Sequence, residues 1–339
     1  MRARRFTKVA GTLLALTLGM ALAGCGADSG SDTSSSGTSL TNITVSYSEE
    51  VADELPLWIA DSAGYFKQQG LNVKLVSLAS DQGFPALLAG QTQLGSMGGS
   101  QILSGAAAGA SVKVLATLTP VYPYELWTKL KSATDLKGKK IGITSKSGSV
   151  YIATLAALKQ LNVKVSDVNL VPLGSTTNVN NALLAGTIDA AVSHPPASSQ
   201  FAAAGFHSLL DLASQHQPNI NVGISGMSNW IDAHPGTVTK FMTALKQGFA
   251  REASDEQYCV GILQKHLGVS DQKALQDTWE YYAKTVLPSN PAPTEDELKS
   301  AQSALVGSVE GVDKLDLGKL IDTSFVDKVW GAPTASASN

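Results

Sequence analysis

Short runs of β-branched and apolar residues alternate with helical segments from Asn42 onward. This alternation is typical of parallel sheets with helices on their faces, and after about residue 236 the pattern becomes helical throughout. The sequence therefore predicts an α/β fold. The predicted strands are Ile43–Tyr47, Val73–Leu78, Leu94–Met97, Val112–Thr117, Lys140–Thr144, Val168–Pro172, Ala190–Val192 and Val222–Ile224.

One five-residue string, Ala-Leu-Leu-Ala-Gly, occurs at Ala86–Gly90 and again at Ala182–Gly186. Each copy follows one predicted strand and precedes a second, which ends in a loop of small or rigid residues. Such an internal repeat favours two related lobes. The alternative is coincidence between two helices that are both rich in Ala and Leu.

Two proline-containing segments interrupt the pattern, Pro120–Tyr124 and Gln217–Asn221. Proline lacks a backbone donor, so each segment is predicted to be an extended crossing rather than the interior of a strand. Two crossings make a two-segment hinge. They predict a discontinuous first lobe, residues 42–121 plus 223–330, around a second lobe at residues 122–222, with a cleft between them.

The N-terminus has the pattern of an export signal. Basic residues precede Val9–Ala23, an apolar run of about 15 residues, which is short for a bilayer span of about 20. The string Leu-Ala-Gly-Cys ending at Cys25 resembles the lipobox of bacterial lipoproteins. We therefore expect residues 1–24 to be removed and Cys25 to be acylated. An uncleaved anchor helix and a plain signal with an incidental Cys25 remain alternatives, and the Arg4-Arg5 pair leaves the export route open.

Residues 25–41 are rich in Ser, Gly, Asp and Thr, a composition that predicts a flexible tether. The small, polar tail at 331–339 is predicted to be disordered as well. Once residues 1–24 are removed, Cys259 is the only cysteine besides Cys25, so no intramolecular disulfide is expected. Cys259 lies in an apolar helical stretch and is predicted to be buried.

Charge and motifs exclude several classes of function. A net charge of −3 provides no basic surplus for a phosphate backbone, so nucleic acid is not an expected partner. The five histidines are scattered without the spacing of a metal site. The G-x-S-x-G, P-loop, G-x-G-x-x-G and H-E-x-x-H motifs do not occur. We predict no metal, no cofactor and no enzymatic activity.

Four strings resemble one group of transport proteins. They are Leu55–Ala60 with Gly64–Val73, Leu87–Gln91, Asp135–Gly142 and Leu183–Asp189. The group comprises the substrate-binding proteins of ABC importers for nitrate, sulfonates, taurine and thiamine-pyrimidine precursors.

This resemblance implies a two-lobed fold of the periplasmic-binding-protein type (type II), with a mostly parallel sheet in each lobe. It also implies a monomer at the extracytoplasmic face of a bacterial membrane, held to the bilayer by acylated Cys25. Its partners would be a small solute and an ABC permease with a cytoplasmic ATPase. The group shares its fold with a pyrimidine-forming enzyme, whose cysteine-rich iron-binding segment is missing here.

Ligands of open α/β sheets bind beyond the carboxyl ends of strands, where helix N-termini suit anions. The loops at these ends, with one residue of the first crossing, supply the candidate binding residues. They are Ser48, Glu49, Asp81, Gln82, Gly99, Ser100, Tyr122, Ser147, Ser149, Ser175, Thr176, Thr177 and His194. The resemblance itself points to Gly99, Ser100, Ser149 and the 174–177 loop. As alternatives, the serines at 147 and 149 are ordinary helix caps, Glu49 is a solvated charge and His194 is structural.

The loops favour a small organic anion, a sulfonate or taurine-like solute. Glu49 and Glu50 instead suit an amino group or the donor of a heterocycle, which keeps a thiamine-pyrimidine precursor or another aromatic solute as the alternative. A ligand-sensing lipoprotein and an enzyme on the same fold are the other functions considered.

Overall fold

The computed structural model describes residues 40–146 and 148–332, and this part of the chain contains two five-stranded sheets. The strand order is β2-β1-β3-β10-β4 in the first sheet and β7-β6-β8-β5-β9 in the second. The strands are β1 (Thr41–Tyr47), β2 (Leu71–Ser77), β3 (Leu94–Met97), β4 (Val112–Val121), β5 (Glu125–Thr128), β6 (Lys140–Ile143), β7 (Asn169–Pro172), β8 (Ala190–Ser193), β9 (His207–Asp211) and β10 (Pro218–Met227).

Among the described strands, four of the five in each sheet point in one direction. In the first sheet β1 pairs in parallel with β2 and β3, and β10 is antiparallel to both β3 and β4. In the second, β6 pairs in parallel with β7 and β8, and β5 is antiparallel to both β8 and β9. The reversed strand is in each case the one that the chain enters on arriving from the other sheet. Two mostly parallel sheets are as predicted.

Helices cover both sheets and form the C-terminal part of the described chain. They are α1 (Leu55–Ser62), α2 (Tyr65–Gln68), α3 (Gly83–Leu88), α4 (Gly99–Ala107), α5 (Ser149–Gln160), α6 (Thr176–Leu184), α7 (Ala197–Ala203), α8 (Ser228–Ala233), α9 (Pro235–Glu252), α10 (Glu256–Leu267), α11 (Gln272–Tyr281), α12 (Glu295–Leu305) and α13 (Ser324–Trp330). None of these helices combines the length and the apolar character that a membrane crossing requires.

The repeated Ala-Leu-Leu-Ala-Gly string occupies equivalent positions in the two halves. Its first copy ends α3, between β2 and β3, and its second ends α6, between β7 and β8. The closing glycines, Gly90 and Gly186, have φ angles of 71° and 69°, the left-handed conformation that terminates a helix. Since the two strand orders also correspond position by position, the repeat reflects a repeated supersecondary unit.

Two strands were not predicted, β5 and β9. Both are short, and their sequences, Glu-Leu-Trp-Thr and His-Ser-Leu-Leu-Asp, carry charged or polar ends. They are strands because they pair with each other and β5 also pairs with β8. Pairing partners override weak local propensity.

Both crossing segments were predicted to lie outside strands, and for residues 120–121 and 218–221 that prediction is wrong. β4 continues to Val121 and β10 begins at Pro218, and these two residues pair across an antiparallel ladder. The register shifts between Pro218 and Val222. Proline is tolerated at such an irregular stretch, because the ladder there does not require the backbone N–H that proline lacks. The chain passes between the sheets at residues 122–124 and 212–217, directly beyond the paired ends of these two strands.

Some predictions fall outside the described residues. These are the signal peptide at 1–24, the acylated Cys25, the tether as far as residue 39, Ser147 and residues 333–339. At the described edge, β1 already begins at Thr41, inside the predicted tether. Cys259 is fully buried, as expected for a packing residue.

Apolar packing connects the two halves. One cluster fills the space between the first sheet, α1 and α9, around Trp58, Phe66 and Phe241. A second cluster includes Met97 of the first sheet and Ile141 of the second, with Leu298 of α12. Helix α12 itself packs against β10, α4 and α5, so the C-terminal helices support the junction between the sheets.

We predict that Gly248→Ala lowers the free energy of unfolding by about 1–3 kcal/mol, because overpacking forces backbone shifts. Gly248 lies where α9 approaches α1, and an added Cβ would overlap the carbonyl oxygen of Pro56. Gly261→Ala on α10 is the matched control, since its Cβ would meet nothing within 4 Å. Chemical denaturation should show a stability loss for the first variant alone; equal stability of both would contradict the close helix contact.

Candidate ligand-binding site

A cavity of ≈ 450 Å³ lies between the carboxyl ends of strands from the two sheets. From the first sheet, the residues after β1 (Ser48–Ala52) and after β2 line it. From the second, the residues after β7 (Gly174–Thr177) and after β8 line the opposite side, with Asn180, Asn181 and Gln200 from α6 and α7. Leu267 and Val269 close one end. This is the position that the alternation of strands and helices predicts for a ligand.

A smaller cavity of ≈ 30 Å³ adjoins the first and shares Ser48, Glu49, Val51 and Thr176 with it. Its other lining residues include Glu54, Gln101, Tyr124, Ser149 and Asn221. The volume is enough for a water-sized group, and the lining is rich in hydrogen-bonding atoms.

The structure brings together seven of the predicted site residues. Ser48, Glu49, Ser175, Thr176, Thr177 and His194 line the larger cavity, and Ser149 lines the smaller one. Ser175 is the N-cap of α6, where its hydroxyl accepts from the amide of Asn178 at 3.2 Å. Capping and proximity to the cavity thus coexist at this residue.

Five predicted residues lie elsewhere. Asp81 and Gln82 are exposed in the turn that precedes α3 and line neither cavity. Gly99 and Ser100 are buried in the first turn of α4, where a Cβ on Gly99 would contact Ile220. That turn is therefore covered by β10, the strand that contains Ile220.

Tyr122 was predicted to bind the ligand, and the structure places it in the apolar core instead. It is 1% exposed, and its hydroxyl lies 2.8 Å from the hydroxyl of Ser300. Tyr122 is buried because its large ring removes apolar surface from water at the junction of the sheets, and because its hydroxyl finds a hydrogen-bonding partner there.

Glu49 joins the two halves across the cavity. Its Oε2 accepts from the backbone amide of Thr176 at 2.8 Å, and its Oε1 accepts from the Ser80 hydroxyl at 3.4 Å. Burial raises the pKa of Glu49, while the hydrogen bonds from Thr176 and the nearby His194 oppose that rise. This carboxylate is thus a contact between lobes, not a solvated charge.

His194 forms part of the wall behind Glu49. It is 5% exposed, and its Nδ1 lies 2.8 Å from the carbonyl oxygen of Pro195. The rings of Tyr124 and Tyr282 lie 5.3 and 6.1 Å from the imidazole, centroid to centroid. These contacts fix the ring at the edge of the cavity.

Two further carboxyls lie beneath the cleft, and the sequence-based reasoning missed them. Asp53 accepts from the Asn221 amide and from the Tyr282 hydroxyl, both at 2.7 Å. Glu54 accepts from the Ser96 hydroxyl at 2.7 Å, and burial raises its pKa to about 8. The signal was available: shortly after β1, four acidic residues lie within the six positions 49–54.

Carboxyl groups are the prevailing ionisable groups of the site. Among the described residues that line the two cavities, Glu49, Glu50 and Glu54 carry carboxyl groups, and no Lys or Arg is present. The described part of the chain also contains no group of three or more His, Cys, Asp or Glu side chains suited to hold a metal ion.

Residues 52–256, more than half of the chain, match the family described as NMT1/THI5 like. The chain belongs to the NMT1/THI5-like family. It is 26% identical to a 4-amino-5-hydroxymethyl-2-methylpyrimidine phosphate synthase of Uromyces fabae over 226 residues, 57% of this chain and 61% of that protein. It is 29% identical to the synthase THI13 of Saccharomyces cerevisiae over 144 residues, 41% of each chain. The chain thus spans less than two thirds of these relatives.

Solved structures confirm the predicted fold class. The aliphatic sulphonate binding protein SsuA of Escherichia coli matches with a TM-score of 0.68 at 18% identity, over 86% of this chain and 99% of that one. The nitrate-binding protein NrtA of Synechocystis PCC 6803 matches with a TM-score of 0.70 at 11% identity, over 86% and 88%. The NMT1/THI5-like chain therefore has the two-lobed fold of periplasmic binding proteins.

We predict that Glu54→Gln weakens the pH dependence of stability. The folded state keeps this proton up to about pH 8, whereas a carboxyl with the ordinary value of 4.5 releases it earlier, so stability falls as pH rises between those values. The glutamine side chain of the variant does not ionise in this range. The fall in Tm between pH 5 and pH 8.5 should therefore shrink by roughly 2–4 °C.

Differential scanning calorimetry at both pH values measures this change. Glu310→Gln, at an exposed position, is the control and should follow the native profile. A Glu54→Gln profile as steep as the native one would show that another group carries the pH dependence.

Proposed function

We propose that this protein is the extracytoplasmic solute-binding component of an ABC importer. It captures a small solute in the cleft between lobe 1 (residues 42–121 plus 223–330) and lobe 2 (residues 122–222). A membrane permease with a cytoplasmic ATPase then receives the solute, and the binding protein acts as a monomer. The observation that carries this proposal is the cavity of ≈ 450 Å³, lined by loops from both sheets.

Closure of the lobes around the solute follows from the same geometry. One hydrogen bond already crosses the cleft, from the Thr176 amide to Glu49, and a second runs from the Ser149 hydroxyl on α5 to the carbonyl oxygen of Asn221 on β10 of the first sheet. A solute that contacts both lobes binds the closed form better than the open form, so it shifts the population toward closure.

The class of solute has two supported alternatives. Similarity to proteins named for sulfonate and nitrate binding supports the organic anion that the loops suggest. Membership of the NMT1/THI5-like family supports a thiamine-pyrimidine precursor or another nitrogen heterocycle. The carboxylate-rich lining supports a solute that carries hydrogen-bond donors.

An enzymatic role is the second candidate, because the curated relatives are named as pyrimidine phosphate synthases. The sequence lacks the cysteine-rich segment expected of such an enzyme, and the one cysteine in the described residues, Cys259, is buried. These features favour binding without chemical change. A ligand-sensing role for the same cleft would require a partner receptor in place of the permease.

We predict that Asn181→Ala and Gln200→Ala each weaken binding of the best-binding solute about fivefold, since each removes a hydrogen bond worth about 1 kcal/mol. Both residues line the larger cavity from lobe 2. A thermal-shift screen against sulfonates, nitrate, thiamine precursors and aromatic acids identifies the solute, and calorimetry measures its affinity.

Gln215→Ala is the matched control, because Gln215 is exposed and lines neither cavity. Unchanged affinity in both cleft variants would place the binding site elsewhere. Mass spectrometry of the same incubations distinguishes the two candidate functions, because a solute recovered with altered mass after many turnovers would establish an enzyme.

We also propose that acylated Cys25 tethers the folded part to the membrane. Metabolic labelling with a radioactive fatty acid in a bacterial host should label the native protein, and Cys25→Ala should abolish the label and release the protein from membranes, because a lipid chain supplies the anchoring energy. Cys259→Ala is the control and should remain labelled. A labelled Cys25→Ala protein would overturn the assignment.

A further inference from the structure

The larger cavity contains an anion-binding arrangement that the chain already fills with its own carboxylate. Helix α6 has nine residues and begins at Thr176 on the cavity wall. The unpaired amides and the dipole at such an N-terminus favour a negative charge. Here the Thr176 amide donates to Glu49 Oε2 at 2.8 Å, and the Asn178 amide is used by Ser175.

Glu49 reaches this helix from the other half of the molecule. It follows β1 of the first sheet, and 127 positions separate it from Thr176. A carboxylate accepts about four hydrogen bonds, so the bonds from Thr176 and Ser80 leave acceptor capacity toward the cavity that Glu49 lines. The group therefore both occupies the helix end and presents negative charge to the solute.

Charge compensation for Glu49 is weak. Among the described residues lining the larger cavity, the only cationic candidate is His194, and the exposed Glu50 adds a second carboxylate. Glu50 is itself engaged, accepting from the Tyr47 hydroxyl at 2.5 Å and lying 3.3 Å from His266 Nδ1. Burial raises the pKa of Glu49 and is the largest influence on it. A cationic solute would supply the partner that a desolvated carboxylate lacks.

We propose that Glu49 is the specificity-determining residue of the cleft: by filling the helix end it excludes anionic solutes and selects an organic amine. The proposal rests on the solute-binding function proposed above and assigns the class of solute. It departs from the sulfonate-like anion that the sequence predicts. The remaining walls, which include Val51, Pro196, Leu267 and Val269, provide apolar contact for a short carbon chain.

Two probes with one carbon skeleton and opposite charge test the proposal: butylamine and butane-1-sulfonate, with nitrate as a second anion. Isothermal titration calorimetry uses the full chain in detergent micelles at pH 7.5. The native protein should bind butylamine at least about tenfold more tightly than butane-1-sulfonate, because hydrogen bonds to charged groups are among the strongest.

Two substitutions separate occupancy from charge. In Glu49→Gln the amide oxygen still accepts from Thr176, so anions stay excluded while butylamine binding falls about tenfold or more. In Glu49→Ala the helix end is open, so butane-1-sulfonate and nitrate should gain about tenfold or more and butylamine should lose. Glu310→Gln, at an exposed position outside both cavities, should bind as the native protein does.

Native protein that binds butane-1-sulfonate or nitrate as tightly as butylamine would overturn the proposal, as would a Glu49→Ala variant without a gain in anion binding. If Glu49→Ala does not fold, the affinities of the native protein and of Glu49→Gln for butylamine and butane-1-sulfonate still test the proposal. An anionic solute that binds native protein in the wider screen refutes the specificity alone. If no solute binds the native protein or any variant, the solute-binding function itself fails.

Discussion

The antiparallel pairing of β4 with β10 is the constraint on which the rest of the structure depends. These two strands carry the chain from one sheet to the other and back, and they pair along most of their length within the first sheet. Because they are hydrogen-bonded to each other, the two points at which the chain leaves and re-enters the first sheet lie side by side. The carboxyl ends of β1, β2, β7 and β8 consequently meet around one cavity.

The chemistry of that cavity depends on which groups fill the helix end facing it. A fold built on strand tips and helix N-termini is suited to anions without any formal cation. This chain places Glu49 at that position and two more carboxyls, Asp53 and Glu54, in the layer below. The fold it shares with proteins named for sulfonate and nitrate binding thus carries a carboxyl-rich site in this chain, and one scaffold can serve unrelated ligands.

The sequence predicts the frame of the molecule because its strands are β-branched runs with clear local signals. β3 begins and ends where predicted, and the repeated Ala-Leu-Leu-Ala-Gly string marks equivalent helices in the two sheets. The edge pairing of β5 with β9 could not be predicted, since it is decided by partners distant in the chain. Helices α1 and α2 are separated at Gly64, whose left-handed φ of 74° interrupts a helix.

The site could be predicted only at the level of loops. Strand order places the residues after β1 and β7 at the cleft, and Ser48, Glu49 and Thr176 are indeed there. Local sequence could not show that Glu49 and Thr176 bond to each other, because that contact depends on how the two sheets are oriented. Tyr122 illustrates the opposite case: it lies in a crossing segment that the sequence places next to the cleft, but its ring is buried in the core.

The position of β10 also has a consequence for the order of assembly. It lies between β3 and β4 in space, yet it follows every strand of the second sheet in the chain. As the polypeptide emerges from N- to C-terminus, the second sheet, residues 125–211, has all its strands before the first sheet does. Until residue 227 has emerged, β3 and β4 have no complete strand between them. The first sheet, which contains the first strand of the chain, is therefore completed after the second sheet.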